Sequence, residues 1–215
     1  MELYFAPLAC SMSARIALAE AGAAIDLAEV DTHAGRIVAT GDDYRAVNPL
    51  GYVPALRLDD GTVLTENSAI LQYFADQYPE AQLAPPASDR IGRAKLRQWL
   101  SFISAELHKG LMVPLLGDKT PAEVKAWAIS KYAPRLAYLD AKLKDREFLL
   151  DRFSVADGYL TTVLNWTRAT PEIDLAGYPN VKAYLERMRA RPSVAAALAT
   201  EIPLYQAEVA RRKAA

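Results

Sequence analysis

Cys10 is the one cysteine of the chain, in the segment Ala9-Cys10-Ser11-Met12-Ser13. A short apolar run precedes it and residues with helical spacing follow. A thiol at a helix start feels the positive end of the helix dipole and unpaired backbone N–H groups, and both favour the nucleophilic thiolate. With no second cysteine, the chain forms no internal disulfide, so redox chemistry at Cys10 needs an external small thiol. The competing reading is a buried, inert cysteine, because free cysteine is among the most buried residue types. Glu66-Asn67 stands at a strand-to-helix junction, where free helix N–H groups can receive a carboxylate and Glu66 can pair with an ammonium; the alternative there is a plain helix cap. His108 is an acid–base candidate near neutral pH, although a lone histidine on a helix is more often structural.

The elements that must carry these residues change character along the chain. Leu3-Tyr4-Phe5-Ala6 reads as a buried strand. Ser11 or Ser13 can cap a helix through Arg15–Glu20, which Gly22 ends. Ile25–Val30 alternates apolar and polar residues, so a parallel βαβ unit is expected. Residues 32–51 are polar and poorly periodic. Two β-like runs flank Asp59-Asp60-Gly61 and predict an antiparallel hairpin. A helix over Asn67–Tyr78 follows, with Ile70, Leu71, Phe74 and Ala75 on one face. Leu83-Ala84-Pro85-Pro86-Ala87 breaks the pattern, and beyond it the apolar spacing is helical throughout. Thr120-Pro121-Ala122-Glu123 and Ser154-Val155-Ala156-Asp157 read as helix starts, another helix starts at Tyr178-Pro179, and Pro192 ends it.

The chain has 215 residues, enough for one large domain or two small ones. Its formal net charge of −1 argues against a nucleic-acid partner. No apolar run is long enough to span a bilayer. The N-terminus lacks the basic and apolar regions of a signal peptide. One cysteine suits a reducing cytoplasm.

Four segments, in this order and spacing, carry a resemblance over essentially the whole length. They are Ala9–Ser13, Asn48-Pro49-Leu50-Gly51-Tyr52-Val53-Pro54-Ala55-Leu56, Leu64-Thr65-Glu66-Asn67-Ser68-Ala69-Ile70, and Phe153–Asp157. The chain resembles the cytosolic glutathione transferases, most closely the bacterial beta class with its cysteine after the first strand. The resemblance implies a thioredoxin-like α/β domain over residues 1–80, a linker over 81–87, and an all-helical domain over 88–215 that contributes the electrophile site. It further implies a cytoplasmic homodimer with no metal, no membrane and no nucleic-acid partner. Glutathione would be the co-substrate, in detoxifying transfer to small hydrophobic electrophiles or in thiol–disulfide exchange at Cys10, with peroxidase activity on the side. A non-catalytic ligand-binding or stress-regulatory protein on the same fold is the alternative.

The same resemblance implies residue roles. A cis Val53-Pro54 bond would leave the Val53 backbone to hold the cysteinyl part of glutathione like a strand partner, with Tyr52 beside it. Glu66 and Asn67 would take the γ-glutamyl group, and Arg36 the glycyl carboxylate. His108 and Lys109 match a pair on the first long helix of the second domain, His108 having a catalytic role and Glu106 a contact to glutathione. Ser11 is the second choice after Cys10 for steadying the thiolate. Leu111, Met112 and Trp166 are expected to line the electrophile site. Tyr4 mimics the tyrosine other classes use but is read as core. Ser154 and Asp157 are read as a structural cap.

Overall fold

A computed structural model describes residues 1–214 of the protein. Strand β1 (Glu2–Phe5) runs parallel to β2 (Asp26–Asp31), with Leu3 opposite Leu27 and Tyr4 opposite Ala28. Helix α1 (Met12–Ala21) connects them and buries Met12, Ala14, Ile16, Ala17 and Leu18. Gly22, at φ 62°, ends it by donating to the Ala19 and Leu18 carbonyls. Neither serine caps α1. The Ser11 backbone is already helical at the start of α1, with no side-chain bond to it, and the Ser13 hydroxyl donates to the Cys10 carbonyl.

Two-residue β3 (Arg36–Ile37) pairs antiparallel with the end of β2, inside the stretch whose polarity conceals it. The predicted hairpin is β4 (Ala55–Arg57) and β5 (Val63–Leu64), antiparallel to each other, with β4 antiparallel to β1. The sheet order is β3-β2-β1-β4-β5. Helix α2 (Asn67–Gln77) buries Ile70, Leu71, Phe74 and Ala75, the face its spacing predicts. A core cluster of Tyr4, Val30, Tyr44 and Ala55 lies under the sheet strands.

The registers decide where functional residues can meet. Tyr4 pairs with Ala55 and Leu56 with Leu64. The exit of β1, the entry of β4 and the exit of β5 therefore share one end of the sheet. Cys10, Val53-Pro54 and Glu66 all leave or enter strands at that end, and so does Arg36, opposite Asp31.

Two compact units make up the chain. Residues Met1–Leu83 and the last helix, α8 (Pro192–Ala214), form the first, and Ala84–Arg191 the second. The boundaries expected from sequence group α8 with the helical half, whereas it joins the α/β unit by polar contacts. Ser193 donates to Glu20, Arg15 pairs with Glu201 at 2.8 Å, and Arg211 pairs with Glu29. Pro192, expected to end a helix, opens this one, where its missing N–H is no loss.

In the second unit, α3 (Arg90–Phe102) is capped by Asp89, whose carboxylate accepts from the Gly92 N–H at 2.8 Å. It runs on through a π-helical stretch, Ile103–Met112, into α4 (Val113–Leu116). Pro114 explains the widening: in an α-helix its ring would press on the carbonyl of residue 110 and it offers no N–H. Gly110 suits that stretch, since a Cβ there would lie 2.7 Å from the Ala105 carbonyl oxygen. Helices α5 (Ala122–Leu143), α6 (Val155–Asn165) and α7 (Pro179–Arg189) complete the unit. Pro121, not Thr120, precedes α5 as its cap residue. At the start of α6 the buried Asp157 carboxylate accepts from Ser154 N–H (2.9 Å), Ser154 hydroxyl (2.8 Å), Leu149 N–H (2.9 Å) and Tyr184 hydroxyl (2.9 Å). Among the described residues, no helix is long and apolar enough to cross a membrane.

Candidate active site

Cys10 sits at the turn into α1 and is 8 % exposed. Its Sγ donates to the Val53 carbonyl at 3.3 Å. The Val53-Pro54 peptide is cis, as the resemblance implies. Its carbonyl is therefore engaged by the thiol, while the Val53 N–H meets no partner among the described residues. Sequence reasoning anticipated both groups unpaired; the thiol has taken one of them.

The segment carrying Val53 is held from behind. The Tyr52 carbonyl accepts from the Tyr44 hydroxyl at 2.9 Å and from Asn48 Nδ2 at 2.7 Å. Burial pushes the Tyr44 phenol well above its usual range, so it stays protonated and remains a donor. Sequence reasoning assigns neither residue a role. Asn48 lies inside a recognisable motif, but Tyr44 carries no signal within a polar, aperiodic stretch. The Tyr52 ring itself is exposed.

Glu66 is exposed and precedes α2 at φ 67°, a left-handed backbone unusual for a glutamate. Such residues persist where the surroundings over-determine them, and they cluster at ligand sites. Asn67 differs from the sequence expectation. Its side chain is buried, and Nδ2 donates to the Ser13 Oγ at 2.9 Å. Ser13 passes the bond on to the Cys10 carbonyl at 2.6 Å. The Asn67 amide thus ties the start of α2 to the backbone of Cys10.

Ser11 does not present its hydroxyl to a thiolate. It is fully buried, and Oγ donates to the Ala6 carbonyl (3.1 Å) and accepts from the Ala6 N–H (3.3 Å). That brace closes the turn before Cys10. Arg36 stands on β3 with β2 and β1 between it and β4, and its guanidinium donates to the Gly41 carbonyl at 2.7 Å. Tyr4 is core, its ring 5.6 Å from that of Tyr44, and burial and the neighbouring Glu2 push its phenol up to about 12.

In the helical unit, His108 is buried with Nδ1 2.7 Å from the Tyr159 hydroxyl and its ring 4.9 Å from that of Trp166. Desolvation, helped by the Lys109 charge, pushes it down to about 4. The imidazole is then neutral at pH 7, so it can accept or donate a hydrogen bond but holds no spare proton to give. Glu106 pairs with Arg135 at 2.5 Å. Leu111 and Met112, expected as an electrophile wall, are 0 % and 1 % exposed, which makes them core; Trp166 is half-buried, while Lys109 is exposed. Among the described residues, no group of three or more His, Cys, Asp or Glu side chains is arranged to hold a metal ion.

The glutathione S-transferase N-terminal domain matches residues 9–77, and the C-terminal domain of that family matches residues 99–192. The chain belongs to the glutathione S-transferase family. It is 44 % identical to glutathione S-transferase GstA of Escherichia coli O157:H7 over 202 residues, 94 % of this chain and 98 % of that one. A bacterial beta class glutathione S-transferase from Sphingomonas chungbukensis is 46 % identical with a TM-score of 0.87, over 94 % of this chain and 98 % of the other. A sphingomonad glutathione S-transferase complexed with glutathione has the same TM-score of 0.87 at 44 % identity, again over 94 % and 98 %. The α/β unit followed by helices is thus the architecture of this transferase family, and its members named here are enzymes.

Proposed function

We propose that this glutathione transferase performs its thiol chemistry at Cys10. The observation that carries the reading is the 3.3 Å contact between the Cys10 sulfur and the Val53 carbonyl. It puts a lone thiol against the peptide best placed to hold an extended ligand. Glutathione would lie along Val53, its cysteinyl backbone accepting from the Val53 N–H and donating to the carbonyl. Its γ-glutamyl carboxylate would meet the first N–H groups of α2 and its ammonium would meet Glu66. Arg36, at the same end of the sheet, is the proposed partner of the glycyl carboxylate. Within the helical unit, His108, Lys109, Glu106 and Trp166 are the proposed functional residues, His108 as a neutral hydrogen-bonding ring beside an aromatic face. Ser11 is left out because its hydroxyl is spent on Ala6.

In the exchange reaction, the Cys10 thiolate attacks a disulfide sulfur and displaces the substrate's other half as a thiolate, which takes up a proton. The Cys10 mixed disulfide is then attacked by a glutathione thiolate, which regenerates Cys10 and releases a disulfide. Per turn one glutathione thiol is consumed and one substrate thiol released, one disulfide is exchanged for another, and one cysteine suffices. In the conjugation reaction, the glutathione thiolate attacks a small apolar electrophile and displaces its leaving group while Cys10 neighbours the sulfur. We propose a homodimer, supported by the exposed apolar side chains of Leu50 and Tyr52, and a cytoplasmic location, supported by the single reduced cysteine.

The test is Cys10→Ala assayed with a glutathione mixed disulfide and with an aryl halide, alongside mass spectrometry of the wild-type protein after oxidised glutathione. Exchange should drop to the uncatalysed rate and the wild type should carry one glutathione on Cys10. Undiminished exchange by Cys10→Ala removes Cys10 as the nucleophile.

A further inference from the structure

Helix α8 carries a carboxylate with no exposure to solvent. Glu201 is 0 % exposed, and both its oxygens reach the far end of the chain. Oε2 accepts from the Leu8 N–H at 2.7 Å across 193 residues of sequence, and Oε1 accepts from Arg15 Nε at 2.8 Å. These two groups bracket Cys10. Leu8 lies two residues before it at φ 58°, a left-handed backbone that a leucine does not take unaided. Arg15 lies one helical turn beyond Ser11, whose carbonyl accepts its N–H, and its guanidinium sits 4.7 Å from the centre of the Phe5 ring. The turn between them is braced internally by Ser11 on Ala6 and by the Ala9 N–H on the Ala6 carbonyl.

A purely structural role does not account for Glu201. Helix α8 is already attached near its beginning by Ser193 on Glu20 and near its end by Arg211 on Glu29. A buried ion pair is weak support for stability, since apolar residues of similar volume often do as well or better. Burial indeed pushes the Glu201 carboxyl above its usual range despite Arg15 and the Leu8 N–H. What the carboxylate contributes is direction: it holds a strained residue in one conformation on one side of Cys10 and the first turn of α1 on the other.

We propose that Glu201 is a positioning residue for the thiol, holding the Leu8–Arg15 segment so that the Cys10 sulfur meets the Val53 carbonyl. This rests on Cys10 being the reacting thiol, but its test does not depend on turnover. Because Cys10 is the only cysteine, alkylation of the native protein by iodoacetamide reports that thiol alone. Glu201→Leu removes both hydrogen bonds and keeps an apolar side chain of similar size. Its alkylation rate against pH should be displaced from the wild-type profile, because the thiol loses its fixed acceptor. The kcat for disulfide exchange should fall by about tenfold, while binding of S-methylglutathione changes less than about twofold, since Val53 and Glu66 lie on other segments. Glu201→Gln keeps one oxygen to accept from the Leu8 N–H and should recover part of the wild-type profile.

A Glu201→Leu protein that is merely less stable, with the wild-type pH profile and kcat, overturns the proposal. Should that variant not fold, Glu201→Gln decides: a partly displaced profile supports positioning and a wild-type profile refutes it. If the wild type itself shows no Cys10-dependent turnover, the functional reading fails, and the alkylation profiles alone judge Glu201.

Discussion

Replacing His108 by asparagine removes a titrating ring while leaving an amide near the position of Nδ1 to meet the Tyr159 hydroxyl. In the folded protein the imidazole is pushed down from 6.5 to about 4, first by burial and then by Lys109. In the unfolded chain it titrates at its ordinary value. Between these two values the unfolded state binds a proton that the folded state refuses, so stability rises with pH there and falls on acidification. The full displacement corresponds to up to about 3 kcal/mol, and about 2 kcal/mol of it is gone by pH 5. Denaturant unfolding at pH 7.5, 6 and 5 measures this, followed by the fluorescence of Trp99, Trp127 and Trp166, all in the helical unit. The wild type should lose about 2 kcal/mol more than His108→Asn over that interval. Identical slopes refute the argument, because they mean that the folded protein accepts the proton. A second readout concerns the reaction: turnover should show no acid limb near pH 6.5 that disappears in His108→Asn.

Glu66→Gln should weaken S-methylglutathione binding by about tenfold, as a charge-assisted contact to the ammonium is lost, with unfolding unchanged because the side chain is exposed; equal affinity by calorimetry removes Glu66 from the site. Asp157→Ala removes the carboxylate that accepts from four buried donors and should cost about 3–5 kcal/mol in urea unfolding. A loss under about 1 kcal/mol would show that those donors find other partners. Tyr44→Phe removes one of two donors on the Tyr52 carbonyl and should cost about 1 kcal/mol. It should also weaken S-methylglutathione binding measurably, and wild-type binding would show that Asn48 alone holds the Val53 segment.

What could be read without coordinates was what local chemistry dictates. Gly22, Asp59-Asp60-Gly61 and Pro85-Pro86 punctuate the chain by backbone preference alone, and the apolar face of α2 follows from spacing. What could not be read was where a small polar side chain turns once the chain is folded. Ser11, Ser13 and Asn67 stand in the right segments, yet each spends its polar atoms on another protein group. Local sequence cannot reveal those partners, because Asn67 and Ser13 lie 54 residues apart. Glu201 is more hidden still, one of two glutamates in an alanine-rich helix, with its partners at the opposite terminus. Leu111 and Met112 are fully buried, and an apolar side chain at helical spacing signals only burial: burial beneath neighbours looks the same in sequence as burial beneath a ligand.

The end of the sheet where these residues gather follows from strand direction. A parallel β1–β2 pair forces its crossover helix to begin where β1 ends, so the Cys10 turn must lie there. An antiparallel β4 beside β1 must enter at that same end, which brings Val53-Pro54 alongside. The short hairpin then returns β5 to the end where β4 began, and Glu66 follows. Register matters as much as direction. With Tyr4 opposite Ala55, Val53 falls just beyond the exit of β1, where the chain turns through Leu8 towards Cys10. A slip of one residue in β4 would exchange the faces of Ala55 and Leu56, both fully buried on opposite sides of the sheet, and turn the Val53 carbonyl away from the thiol. Packing of the Tyr4–Ala55 cluster and aim of the sulfur are therefore fixed by the same strand pairing.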